Sequence, residues 1–391
     1  MSFWQILAFL VGATLPSLLI TLIATAVVRR LAPNWGLIDK PAARKVHTTA
    51  TPLGGGIAIW LGIVLPLTLG LLIVALIQQG VLPQSLIPKF AAPHLGGVWQ
   101  QAGKLLVLLV ASTMLMLLGL TDDLRGLPWQ LRLGVQALVA LLCMYFVDDL
   151  HLTMFLDLPL VTGALTVLWI VALINSFNML DNMDGLSSGV AGIAAAMLAA
   201  ILLLAPDPTT RQPQLFVAGL LLVVVGSVLG FLWHNRPPAS IFMGDAGSYV
   251  LGFFLAVASL LATYASYRAI EPGDGSGHAI LAPLCVLAVP LYDMVTVIAI
   301  RLAAGKSPFQ ADKNHFSHRL VDLGLTKPQA VLTICLTTAT CGLGGLLLHQ
   351  VNTAGAIIIV MLILCVLAVI AISETAAHRK VLERGADRNA A

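Results

Sequence analysis

Residues 103–120 read GKLLVLLVASTMLMLLGL and run straight into Thr121-Asp122-Asp123. A helix needs about 20 apolar residues to cross roughly 30 Å of hydrocarbon, and this run supplies them. Similar runs recur from end to end of the 391 residues, of which 59% are hydrophobic and 10% charged, a balance too apolar for a soluble domain. An outer-membrane barrel would show short alternating segments instead. The sequence therefore predicts an all-α integral membrane protein, a polytopic bundle of about eleven transmembrane helices. The expected spans are 3–28, 53–77, 103–120, 131–147, 158–174, 186–204, 215–232, 248–267, 279–300, 330–348 and 354–372. The first run has no basic n-region and no small-residue cleavage site, so it reads as a retained span. Cys143, Cys285, Cys335, Cys341 and Cys365 all fall inside spans, which argues against a disulfide framework or a cysteine metal site.

Orientation follows from the excess of Lys and Arg on the cytoplasmic side. Of the 21 such residues, only Lys89, Lys104, Arg211 and Arg268 fall in even-numbered loops or at their edges. The N-terminus is thus expected outside and the C-terminus inside. Residues 1–372 read as one membrane domain whose working face is built from cytoplasmic loops 29–52, 121–130, 175–185, 233–247 and 301–329. Residues 373–391 form a short basic tail. The net charge of +3, with no dense basic stripe, excludes nucleic acid as a partner.

Carboxylates are costly near hydrocarbon, so acidic clusters at span ends ask for a charged partner. Three such clusters fall on the expected cytoplasmic face: Asp122-Asp123, the stretch from Asn175 to Gly185, and Phe242-Met243-Gly244-Asp245. In the second, Asn175, Asn178, Asp181 and Asp184 recur every three residues and would form a polar ridge on a helical turn. Caps and loop residues at a helix start are the plainer explanation for one Asn or Asp, but not for four in register. Asp122-Asp123 by itself is weak, since Asp148-Asp149 repeats it on the opposite face. Asp245 lies between two glycines, where backbone can approach a ligand closely, and a plain helix cap is the alternative. His315 and His318 would share a helical face beside Arg319. Asp293 sits inside a span, where a structural hydrogen bond and a functional role are equally open. Gly54-Gly55-Gly56 reads as a close-packing device rather than a phosphate loop.

Together these motifs resemble one family, the polyprenyl-phosphate N-acetylhexosamine-1-phosphate transferases, membrane enzymes that begin bacterial cell-wall and surface glycan assembly. Asp39-Lys40-Pro41, Arg44-Lys45-Val46-His47 and Thr51-Pro52-Leu53-Gly54-Gly55 look like its first cytoplasmic signature. Gly119-Leu120-Thr121-Asp122-Asp123 looks like its aspartate pair. The Asn-x-x-Asn-x-x-Asp-x-x-Asp-Gly stretch and residues 242–248 are similar to its metal and nucleotide motifs. Ser307-Pro308-Phe309-Gln310-Ala311-Asp312 with His315 and His318 looks like the branch that uses UDP-N-acetylglucosamine. Ser317 stands where many relatives have a histidine.

The resemblance implies transfer of N-acetylglucosamine 1-phosphate from the UDP-sugar to undecaprenyl phosphate, with UMP released, in a bacterial inner membrane. Phospho-N-acetylmuramoyl-pentapeptide, or another UDP-N-acetylhexosamine donor, stays open as the alternative. A secondary transporter is the competing class, and association into a homodimer is left open. Such a transfer needs alignment and charge neutralisation more than covalent help. The expected cofactor is Mg²⁺, with Mn²⁺ as a substitute, held by Asp181 and Asp245. Asp122, Asp123, His315 and His318 are the expected catalytic residues. Asn178, Asp184, Asn235 and Phe242 would hold the nucleotide, and Arg44, Lys45, His47 and Arg319 the phosphates or lipid headgroup.

Overall fold

Backbone in hydrocarbon must satisfy its own hydrogen bonds, which leaves a chain this apolar little choice but helix. The computed structural model describes residues 2–39, 50–88, 91–152, 158–205, 213–268, 277–310, 312 and 314–390. In chain order the helices are α1 (Phe3–Leu31), α2 (Gly55–Gln78), α3 (Leu95–Gln100), α4 (Ala102–Arg125), α5 (Trp129–Phe146), α6 (Pro159–Leu180) and α7 (Leu186–Leu204). They continue with α8 (Leu215–Asn235), α9 (Gly244–Arg268), α10 (Ala282–Val286), α11 (Ala288–Ala303), α12 (Phe316–Asp322), α13 (Lys327–Leu347) and α14 (Thr353–Ala390). A two-residue ribbon, β1 (Ile38–Asp39) against β2 (Thr51–Pro52), pairs Ile38 with Pro52 and Asp39 with Thr51. It is extended when Phe242 N–H donates to Pro52 O at 2.9 Å, tying loop one to the start of α9.

Among the described residues, ten helices are long and apolar enough to cross a membrane. The protein is a multi-pass membrane protein. The run expected as the ninth span is instead two helices, α10 and α11, broken at Leu287. Pro290 explains the break: it has no N–H to offer Val286 O, and its ring crowds that carbonyl, so α10 stops there and α11 restarts. Close to the break, Ser176 Oγ–H of α6 donates to Pro290 O, tying α11 to α6.

Two expected loops are shorter than the hydropathy implied. Helix α4 continues through Asp122 and Asp123 to Arg125, and α6 runs through Asn175 and Asn178 to Leu180. A hydropathy reading ends a span where polar residues begin. Here those residues bond inward to neighbouring helices, so the helix outlasts the apolar run.

The bundle is organised on α9, which is buried along its spanning window and packed against α2, α4, α6, α7 and α8. Close approach is made possible by glycines. A Cβ on Gly56 of α2 would fall 2.1 Å from Gly247 N, and one on Gly119 of α4 would fall 2.4 Å from Ala246 N. Gly55 and Gly56 donate their N–H groups to Phe242 O and Met243 O at 3.0 and 2.9 Å. The glycine run is therefore a packing device, as its sequence suggests. Towards the rim, α1 and α14 carry exposed apolar residues such as Leu15, Leu19, Leu362 and Val369, the surface a bilayer would cover.

Because backbone atoms form the other side of these contacts, Gly56→Ala and Gly119→Ala should each lower the melting temperature of the detergent-purified protein. An overpacking penalty of about 1–3 kcal/mol or more is expected. Gly96→Ala, where the added Cβ meets nothing within 4 Å, serves as the control.

Candidate active site

The site is built around the first turn of α9. Gly244 has φ +71°, in the left-handed region where a side chain is strained, and a Cβ there would lie 2.5 Å from Asp123 Oδ2. Glycine thus lets Asp123 reach the helix end, where Asp245 N–H and Ala246 N–H donate to Asp123 Oδ1 and Oδ2 at 3.0 and 3.3 Å. Gly244 N–H faces the Asp181 carboxyl and favours its charged form. Carboxylates from α4 and from the end of α6 therefore cap α9, where the helix dipole favours negative charge.

The two members of the aspartate pair do different work. Asp122 is buried and fully engaged. Arg132 Nη1 lies 2.7 Å from its Oδ2, Leu127 N–H donates to its Oδ1 at 2.6 Å, and Tyr249 O–H donates at 3.3 Å. Asp123 instead joins Asp181, Asp184 and Asp245 around a cavity of about 890 Å³. Asp122 also borders this cavity, as do Asp39, Asn182, Asn235, Phe242, Asp312, His315, His318 and Lys327. The three acidic clusters, far apart in sequence, do meet.

Compensating positive charge is sparse beside these carboxylates. Arg132 Nη1 is 3.8 Å from Asp245 Oδ2, while Asn178 Nδ2 donates to Asp245 Oδ1 at 2.7 Å. Burial, together with the charges on Asp123 and Asp184, pushes the Asp181 carboxyl up to about 7 against the help of Gly244 N–H. Among the described residues no three His, Cys, Asp or Glu side chains form a ready-made metal cluster. Magnesium does not require one: it takes one or two carboxylates and completes its shell with substrate phosphates and water. The carboxylate oxygens of Asp181 and Asp245, which border the cavity with few cations beside them, fit such an ion.

Residues expected to hold the nucleotide also shape the site. Asn235 Oδ1 accepts Gly185 N–H at 3.0 Å and Ser188 Oγ–H at 3.1 Å, capping α7, while its Nδ2 donates to Ile241 O at 3.0 Å. Asp184 Oδ2 accepts Ala239 N–H at 2.9 Å. Both hold the 236–243 loop in place with Phe242 on the cavity wall. Asn178 bonds Asp245 and Ser248 and does not border the cavity.

Loop nine supplies the opposite wall. His315 immediately precedes α12, and its Nδ1 lies 3.0 Å from Asp293 Oδ2. The His315 and His318 rings are 6.4 Å apart between centroids. Ser317, in the family's histidine position, is buried and donates to Asn182 Oδ1, stitching α12 to the turn after α6. Arg319 does not border the cavity: its guanidinium is engaged by Glu374, Asn314 and Thr296. Arg301 grips Asp312 with two nitrogens at 3.1 and 3.0 Å. Burial opposes this, yet the bonds from Arg301 and Asn314 hold the Asp312 carboxyl below its ordinary range. Arg44, Lys45 and His47 lie outside the described residues.

Sequence reasoning missed Arg132 and Lys327 as site residues and counted them only as cytoplasmic charge. A signal existed for Arg132, the cation that follows Asp122 across the short Gly126–Pro128 turn. For Lys327 there was none, because only folding brings the start of α13 to the cavity.

The family model described as glycosyl transferase family 4 matches residues 105–263. The chain is 31% identical over 369 residues to a probable undecaprenyl-phosphate N-acetylglucosaminyl 1-phosphate transferase of Bacillus subtilis (strain 168), covering 93% of this chain and 91% of that protein. It is 33% identical over 356 residues to a decaprenyl-phosphate N-acetylglucosaminephosphotransferase of Mycobacterium tuberculosis (strain ATCC 25618 / H37Rv), covering 86% and 81%. An undecaprenyl-phosphate alpha-N-acetylglucosaminyl 1-phosphate transferase of Escherichia coli O157:H7 is 30% identical over 319 residues, covering 80% and 76%.

The Asp181 value carries a sign that can be measured. Its folded value lies above the ordinary 3.8, so the metal-free protein gains stability from the retained proton at low pH and loses that share as pH rises through about 7. The melting temperature of the wild type, taken relative to Asp181→Asn, should therefore fall between pH 4 and pH 8. A difference that stays flat across this window would contradict the assignment.

Proposed function

The chain belongs to glycosyl transferase family 4, and on that premise we propose that it transfers N-acetylglucosamine 1-phosphate from UDP-N-acetylglucosamine to undecaprenyl phosphate. The observation that carries this reading is the meeting of Asp123, Asp181 and Asp245 with His315 and His318 around one cavity. A site this rich in carboxylates repels a pyrophosphate unless cations intervene. The same arrangement, with a divalent ion in it, becomes a clamp for two phosphates.

In the proposed reaction a lipid phosphate oxygen bonds to the β-phosphorus of the UDP-sugar. The bond from that phosphorus to the bridging oxygen breaks, and UMP departs with the electron pair. One phosphoanhydride replaces another, so little net energy is at stake. Much of a phosphate monoester is already dianionic at neutral pH, its second pKa being about 6, so no strong base is required. Magnesium on Asp181 and Asp245, or manganese in its place, would neutralise the phosphate oxygens and polarise the reacting phosphorus. Asp123 holds the N-terminus of α9 so that Asp245 stays beside the cavity, and would receive a residual proton from the lipid phosphate. Asp122, through Arg132, orients the cation next to Asp245. Phe242 offers a ring on which uracil can stack, with Asp184 and Asn235 holding its loop. His315 and His318 face the phosphates from the other wall, aided by Arg44, Lys45 and His47 from loop one.

The proposed setting is a bacterial inner membrane with the cavity on the cytoplasmic side. The bias of Lys and Arg towards odd-numbered loops supports it, with α10 and α11 counted together as one crossing. A fully embedded acceptor chain and a soluble donor can then meet at one membrane surface.

Purified protein given undecaprenyl phosphate, Mg²⁺ and a panel of UDP-sugars should release UMP with UDP-N-acetylglucosamine and stop when a chelator is added. Asp181→Asn and Asp245→Asn should each cut turnover by about 10²-fold or more while the protein still elutes as a folded species. Near-normal release by either variant would remove the metal assignment, and preference for a UDP-N-acetylmuramoyl-pentapeptide would redirect the substrate.

A further inference from the structure

Glu374 lies on α14, the last spanning helix, outside the cavity lining and outside the sequence motifs of the resemblance. Its side chain is 5% exposed. One oxygen, Oε2, accepts Tyr292 O–H at 2.9 Å and Arg319 Nε–H at 3.0 Å, while Oε1 is buried with no partner. A carboxylate half-satisfied in such surroundings is a poor way to fill space, since an apolar residue would be buried at less cost. Its charge is matched by what it holds. Arg319 is the residue after His318, and besides Glu374 its guanidinium donates to Asn314 O, immediately before His315, and to Thr296 Oγ1 at 3.1 Å. A second buried carboxylate grips the same segment from α11: Asp293 Oδ2 meets His315 Nδ1, and Asp293 Oδ1 accepts Phe316 N–H at 2.6 Å.

We propose that Glu374 is a positioning residue, acting through Arg319 to hold the His315–His318 segment against the cavity. Helix α12 has seven residues, too few to keep its place by helical cooperativity alone. Two buried carboxylates, Asp293 on α11 and Glu374 on α14, hold its start and its middle. Arg319 is thereby assigned inward, as the link between α14 and the histidines, rather than to a phosphate. The inference rests on the transferase reading for its kinetic consequence, because displacing the histidines by about 1 Å is enough to cost about 10²-fold in rate.

The test uses the full-length purified chain with UDP-N-acetylglucosamine, undecaprenyl phosphate and Mg²⁺. Glu374→Gln should lower kcat by about tenfold or more, with KM for the UDP-sugar within about threefold of wild type. Arg319→Ala should be slowed similarly and partly recover in added guanidinium, but only while Glu374 is intact. The paired change Arg319→Met with Glu374→Leu leaves no charge stranded and should keep the fold, yet remain slow. Asp149→Asn, in the remote Lys104 pair, should keep wild-type kcat. Wild-type turnover in the Met/Leu pair, or guanidinium rescue that ignores Glu374, would overturn the proposal. Hydrogen exchange provides a readout independent of activity: protection of residues 314–319 should drop in Glu374→Gln and persist in Asp149→Asn. Unchanged protection in Glu374→Gln sinks the positioning role even if the wild type releases no UMP, an outcome that by itself would sink only the transferase reading.

Discussion

Three backbone N–H groups at the start of α9 have no partner within their own helix, and they are met by carboxylates from elsewhere in the chain. Gly244 faces Asp181, while Asp245 and Ala246 donate to Asp123. Every helix leaves such groups at its N-terminus, and in a buried helix they must be satisfied. Because the donors here sit at the end of the most buried helix, the demand draws acidic residues of α4 and α6 to one point. Asp245, in the same turn, is brought in with them. The electrostatic problem of the site, several carboxylates with few cations, is thus a consequence of how the central helix is capped.

That arrangement also explains why glycine recurs around α9. Gly56, Gly119 and Gly244 each stand where a side chain would collide with backbone or with Asp123. Removing the Cβ lets α2 and α4 approach closely enough for their polar ends to reach the cap. Packing in the membrane interior and chemistry at its surface are therefore one design problem. A helix held a few ångströms further out would lose this packing and leave Asp123 short of its donors.

Much of this could be read from residues alone. The spans follow from hydropathy, and the triplet spacing of Asn175, Asn178, Asp181 and Asp184 marks one ridge whether the segment is helix or turn. Asp122 and Asp123 look equivalent in sequence, however, and their division of labour appears only when Arg132 and α9 are set on either side of them. Asp293 was equally open to two roles, and the fold pairs it with His315. The break at Leu287 was implicit in Pro290, but hydropathy averages over it. Glu374 and Lys327 gave no local signal, since Glu374 bonds residues distant in sequence and Lys327 reaches the cavity only through the fold.

The sequence by itself determined that this chain is a helical membrane protein with acidic and histidine-bearing segments at span ends, because the cost of burying charge and of leaving backbone unpaired in hydrocarbon is paid residue by residue. Tertiary structure decided which carboxylate caps, which pairs with a cation and which stays exposed to the cavity. Those outcomes depend on distances of about 3 Å between side chains on different helices, and no local rule encodes them.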